Sequence, residues 1–205
     1  MRILALLPIL AADPVTLDRL ALSVGNEIIT EQQILLHIRT AALLNGEPPR
    51  ITPAIKRQAA QKLIELTLIR TEMSNNRYPL PSPAQVEQAF RAVLAQRFGG
   101  RAEALREACT QYRVGEAELR DSLLWQLATL SFIDFRFRPA IQITEQEIRD
   151  FYQQDYPDRL TRTLDQARSE ILELLTQQRI DNLLDRWLNQ TESTTRVRWI
   201  EGVFQ

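Results

Sequence analysis

"LALSVGNEIITEQQ", residues 20–33, decides how this chain is organised. Leu20, Leu22 and Val24 alternate with Ala21 and Ser23, Gly25-Asn26 suits a tight turn with positive φ, and Glu27, Ile28 and Ile29 continue in extended form. Thr30, with Gln33 three residues on, then carries the capping-box signature that starts a helix. A hairpin of two strands is marginal in water on its own. The stretch therefore predicts a third strand from elsewhere in the chain.

The one segment able to supply it lies at the other end. "RVRWIEGVF", residues 196–204, sets Val197 and Trp199 on one side, with Val203 further along, and turns Arg196 and Arg198 outward. A strand over Arg196–Phe204 laid beside the Leu20–Ile29 hairpin makes a three-stranded unit and joins head to tail.

Everything between reads as helix. The first, Glu31–Leu44, carries Ile34, Leu35, Ile38 and Ala42 on one side and stops at Asn45-Gly46. Thr52-Pro53 opens a second, with Ile55, Ala59, Leu63, Leu66, Ile69 and Met73 at spacings of three and four. Ser82-Pro83 with Gln85 opens a third, bearing Val86, Phe90, Val93 and Leu94 as far as Gly99-Gly100. A short fourth has Ala102, Leu105, Cys109 and Tyr112 on one stripe. The fifth begins after Gly115 and ends before Pro139; from Leu123 onward it is apolar almost all round, so neighbours must cover more than one face. Thr144 and Glu147 form another capping box, and a last helix from Thr163 to Asn189 is roughly 40 Å long. The fold class is mainly α: a multi-helix domain with a small antiparallel sheet made by the N-terminal hairpin and the C-terminal strand.

Composition narrows the chemistry. The 205 residues include 44% hydrophobic and 25% charged, enough for a real core, and 25 basic against 26 acidic side chains leave a net charge of −1. No overall field draws the chain to nucleic acid or anionic lipid. One cysteine, Cys109, excludes an internal disulfide, and one histidine, His37, removes schemes that need a pair. "MRILALLPILAA" pairs a basic Arg2 with an apolar run and small residues, and residues 1–12 read as a signal peptide; the alternatives are an apolar segment packed on the domain and a misassigned start. The run is too short to span a bilayer.

The order of these elements resembles the SurA-like family of periplasmic chaperones. "ALSVGNEIIT", "AAQKLIELTLIRTEM", "TQYRVGEAELRDSLLWQL", "ITEQEIRDFYQQ" and "ARSEILELLTQQRIDNLLDRWLNQ" follow in that family's order, from residue 18 to the closing strand. Residues 13–161 match its N-terminal chaperone region, and residues 162–205 match its C-terminal helix and strand, packed back on the same domain. Family members usually carry parvulin-type prolyl isomerase domains between the "FYQQ" helix and the last helix. Here Tyr156-Pro157-Asp158-Arg159 leads almost straight into that helix, and the paired histidines of such sites are missing. The resemblance thus implies a chaperone module without isomerase activity, in the periplasm, with outer-membrane protein precursors as clients.

The residues themselves offer little catalysis. P-loop, G-x-G-x-x-G, H-E-x-x-H and G-x-S-x-G patterns are lacking. His37 reads as a structural or surface side chain, and Cys109, on an apolar stripe, as a small hydrophobe. Glu145, Glu147, Asp150, Asp155 and Asp158 lack cation-loop spacing and read as a solvated face, so no metal is expected. "FIDFRFRP", residues 132–139, has three readings: core rings with arginines on the last carbonyls, a nucleic-acid platform, or a groove in which Phe135, Phe137, Phe151 and Tyr152 hold apolar client segments. The expectation is a non-enzymatic, cofactor-free, ATP-independent holding chaperone for unfolded polypeptides, with no nucleic-acid partner and no membrane insertion; a homodimer stays open. The alternative is an assembly or scaffold subunit with one dedicated protein partner.

Overall fold

A computed structural model describes residues 18–157 and 160–205. The expected signal peptide, residues 1–12, lies outside them, as does Asp158 of the acidic group. β1 (Leu20–Val24) and β2 (Glu27–Thr30) form the antiparallel hairpin, and β3 (Val197–Trp199) pairs antiparallel with β1, giving the order β2-β1-β3. Gly25 alone of the turn residues takes positive φ, at 59°, as a turn with glycine first requires. Leu22, Val24 and Ile29 face inward against Ile34, Ala60, Ile64, Val203 and Phe204.

The third strand is shorter than Arg196–Phe204. Ile200 N–H still bonds Ala21 C=O at 2.8 Å, but two residues further the ladder would run off the start of β1. Instead Glu201–Val203 make a 3₁₀ turn that folds Val203 and Phe204 into the core.

Among the described residues seven α-helices follow the hairpin: α1 (Glu31–Asn45), α2 (Pro53–Asn75), α3 (Pro83–Phe98), α4 (Ala102–Tyr112), α5 (Glu116–Phe137), α6 (Glu145–Gln154) and α7 (Leu164–Thr194). Thr30/Gln33, Ser82/Gln85 and Thr144/Glu147 form the expected capping boxes, Thr52 caps α2 ahead of Pro53, and Thr163/Gln166 adds a fourth box. α7 runs five residues past the expected Asn189 end. Its polar "TEST" stays helical because the hydroxyls turn back on the backbone: Thr191 donates to Trp187 C=O at 2.7 Å and Thr194 to Thr191 C=O at 3.0 Å. Gln61 of α2 also holds Glu192 at 3.0 Å.

α5 is the central strut, and it changes partners halfway. Leu119 and Leu123 pack with Phe90, Leu105, Cys109 and Val114 of the α3–α4 side. Ala128, Phe132 and Phe137 pack with Ile69 and Met73 of α2 and with Trp187 of α7. Both faces are covered, as the apolar periphery demands, yet Leu130 and Phe135 stay 61% and 69% exposed. α6 lies on α7 through Ile148, Tyr156, Ala167 and Ile171.

Candidate functional site

β2, α1, α2 and α5 enclose a cleft of about 690 Å³. Ile28 comes from the sheet edge, Leu36 and His37 from α1, Leu63, Leu66 and Arg70 from α2, and Trp125 from α5. α2 contributes from Leu63 to Asn75, a length of about 18 Å at 1.5 Å per residue. That suits roughly five residues of extended chain.

Arg70 dominates the electrostatics inside. Its guanidinium lies over the Trp125 ring, 4.0 Å from the centroid. Its Nε is buried with no hydrogen-bond partner, and it makes no ion pair among the described residues. Burial lowers its pKa, with Asp121 acting in the opposite direction. Three exposed carboxylates, Glu27, Glu118 and Asp121, stand on the same cleft and likewise make no ion pair among the described residues. The result is a mixed lining: an apolar strip of Ile28, Leu36, Leu63, Leu66 and Trp125, hydroxyls and amides such as Thr67, Asn75 and Gln126 beside it, one cation inside and three exposed acids.

His37 borders this space with its pKa pushed down, first by burial and then by the charge of Lys62. The neutral imidazole is therefore the form the fold prefers. Below its ordinary value of 6.5 the unfolded chain takes up the proton first, so stability falls with pH until the folded-state His37 protonates too. We expect His37→Gln to flatten that part of the stability curve, measured by urea unfolding between about pH 7.5 and pH 5.5. An unchanged curve would remove His37 as its source.

The four aromatic residues expected to share a groove lie in two places. Phe135 is exposed at the end of α5 against Tyr78, 5.6 Å between centroids. Phe137, two residues on, is buried against Phe132 and Trp187, so its ring belongs to the core. Phe151 and Tyr152 are half-buried between α6 and α7, where the Tyr152 hydroxyl donates to Arg162 C=O at 2.7 Å.

The arginines of "FIDFRFRP" are engaged by carboxylates: Arg136 meets Glu72 at 2.7 Å, and Arg138 meets Asp134 at 3.0 Å and Glu173 at 3.5 Å. The acidic group of α6 is not simply solvated. Glu145 pairs with Arg168, and Glu147 with Arg179 at 2.6 Å, clasping α6 to α7. Cys109 is buried, and burial, then Glu116 and Glu118, push its thiol pKa up. No cluster of metal-ligating side chains occurs among the described residues, and no described helix is long and apolar enough to cross a membrane.

The cleft was not foreseen from sequence. Its one signal is Arg70, a charged residue in the apolar run "LIELTLIRTEM", and nothing local ties it to Trp125.

No family model matches the chain. Chaperone SurA of Pseudomonas aeruginosa is 25% identical over 147 residues, 70% of this chain and 35% of that protein. The chain thus spans about a third of the length of that relative, and the likeness supports a SurA-like relationship at most.

Proposed function

We propose that this chain is a holding chaperone that binds extended, unfolded polypeptide in the cleft between β2, α1, α2 and α5, without ATP and without catalysis. The observation that carries the reading is the cleft itself: an apolar strip of Ile28, Leu36, Leu63, Leu66 and Trp125, long enough for a short extended segment. The SurA likeness and the family order of hairpin, helices and closing strand support it. On the same grounds we place the protein in the periplasm, with precursors of outer-membrane proteins as clients and residues 162–205 as part of the chaperone unit. Such precursors carry strands with one apolar face that stays exposed until the barrel closes. Phe135, outside the cleft, offers an additional apolar contact to a longer client.

The test is a titration of the full chain against several fluorescently labelled unfolded polypeptides with no nucleotide present. Binding of unrelated chains is expected, and Trp125→Ala should weaken it about 10- to 30-fold, since a large aromatic at the centre of an interface is where truncation costs most. A chain that ignores unfolded polypeptides but holds one native protein tightly would instead be a scaffold subunit.

A further inference from the structure

We propose that Arg70 and the open edge of β2 grip the main chain of the bound segment, so that the cleft selects an extended backbone rather than a particular sequence. The inference rests on the client-binding reading of the cleft and specifies what is recognised there.

The sheet supplies the first half. Among the described residues β2 is an edge strand, and its hydrogen-bonding direction follows from bonds on the other side of β1. Gly25 N–H donates to Arg196 C=O at 2.9 Å and Ile200 N–H to Ala21 C=O at 2.8 Å, so the odd-numbered residues of this stretch point their peptide groups at β3. Leu22 and Val24 then face β2, where their partners are Ile29 and Glu27. Inward and outward residues alternate along an antiparallel strand. Ile28, between those partners, therefore turns its N–H and C=O to the open edge, and its side chain is 54% exposed on the cleft. Thr30 offers nothing further, because its N–H already donates to Gln33 Oε1 at 2.9 Å. An unpaired edge of this kind is a template for an added strand.

Arg70 supplies the second half. A buried N–H left without an acceptor is costly; the Arg70 Nε has none among the described residues, and its half-buried guanidinium is held in the cleft by Trp125. Glu27, Glu118 and Asp121 stand on the same cleft without ion-pair partners among the described residues, so a carboxylate arriving at Arg70 would meet their repulsion. A neutral acceptor avoids it. The peptide carbonyls of an extended chain are such acceptors, and every second one points the same way.

The experiment uses an acetylated, amidated octapeptide alternating leucine and serine, its free-acid form, and two isomers N-methylated on odd or on even residues. Affinities are measured by fluorescence anisotropy for the wild-type chain, Arg70→Met and Ile28→Pro. Proline removes an N–H that makes no ladder bond, and its fixed φ suits an edge strand; because the Ile28 side chain also lines the cleft, Ile28→Ala serves as the side-chain control and should bind more tightly than Ile28→Pro. At least one N-methylated isomer should bind about 10-fold more weakly, and Arg70→Met and Ile28→Pro should each bind the parent about 5- to 10-fold more weakly, the scale of a lost hydrogen bond or two. Free acid and amide should bind alike, and thermal melts of both variants should resemble the wild type. Full-strength binding of both N-methylated isomers overturns the proposal while leaving the cleft as a client site. Preference for the free acid that vanishes in Arg70→Met also overturns it, assigning Arg70 to chain ends. Failure of the parent octapeptide to bind at all brings down the client-binding reading itself.

Discussion

Replacing Phe204 by alanine is expected to lower the melting temperature of this protein by about 6–12 °C, although Phe204 is the second residue from the end of the sequence. Chain ends ordinarily fray and tolerate change. This one is held. Phe204 is 5% exposed, packs edge-on to Trp199 with 5.1 Å between centroids, and lies with it beneath the Arg57 guanidinium, itself paired with Glu201 at 2.5 Å. One residue back, Val203 C=O accepts from Lys56 Nζ at 3.3 Å, and the same amine meets Glu31 at 2.5 Å. Removing a buried phenylalanine costs about 3–5 kcal/mol, with the lower figure apt near a terminus that can relax. At this chain length each kcal/mol moves the midpoint by about 2–4 °C. Deleting Gln205 alone, which is exposed, should leave the melt unchanged. A shift under about 2 °C for Phe204→Ala would mean that the tail merely rests on the sheet.

That dependence of head on tail was legible in the sequence because a hairpin beginning at Leu20 needs a partner and the chain contains one other strand-like stretch. Capping boxes at Thr30, Ser82 and Thr144 were legible too, since each lies within four residues and needs no knowledge of the fold. The failures share one cause. Where β3 stops is set by where β1 begins, far away in sequence, and where α7 stops is set by hydroxyls finding their own carbonyls and by Gln61 on another helix. The cleft is harder still. Arg70 and Trp125 each sit in a helix whose apolar spacing promises only burial, and their stacking exists only once α2 and α5 are side by side. Periodicity told which faces would be covered; it could not tell that "FIDFRFRP" would spend Phe137 on the core and leave Phe135 outside.

Trp187→Ala is expected to cost more than any other single truncation in α7, and to be felt in a cleft that Trp187 does not line. The indole, with its neighbour Leu188, packs against both the sheet core around Leu22, Ala60 and Ile64 and the second core around Ile69, Ala128 and Phe132. Its centroid lies 5.4 Å from that of Phe132 and 6.4 Å from that of Phe137, and the Arg136 guanidinium sits 5.3 Å above it while pairing with Glu72. Truncation leaves a cavity between α7, α5 and α2 that these rings are too rigid to fill, at about 3–5 kcal/mol, or a melting temperature lower by about 6–20 °C. α2 and α5 are also two walls of the cleft, and α7 clamps them from behind through this residue. Loosening the clamp lets Arg70 and Trp125 drift apart, so affinity for unfolded chains should fall about 2- to 10-fold at temperatures where the variant is still folded. Hydrogen exchange distinguishes this from general destabilisation: amides near the C-terminal ends of α2 and α5 should lose protection before those of α3 and α4, which belong to a different core. Uniform loss of protection, with client affinity intact, would show that the cleft walls are held by their own contacts and that Trp187 serves stability alone.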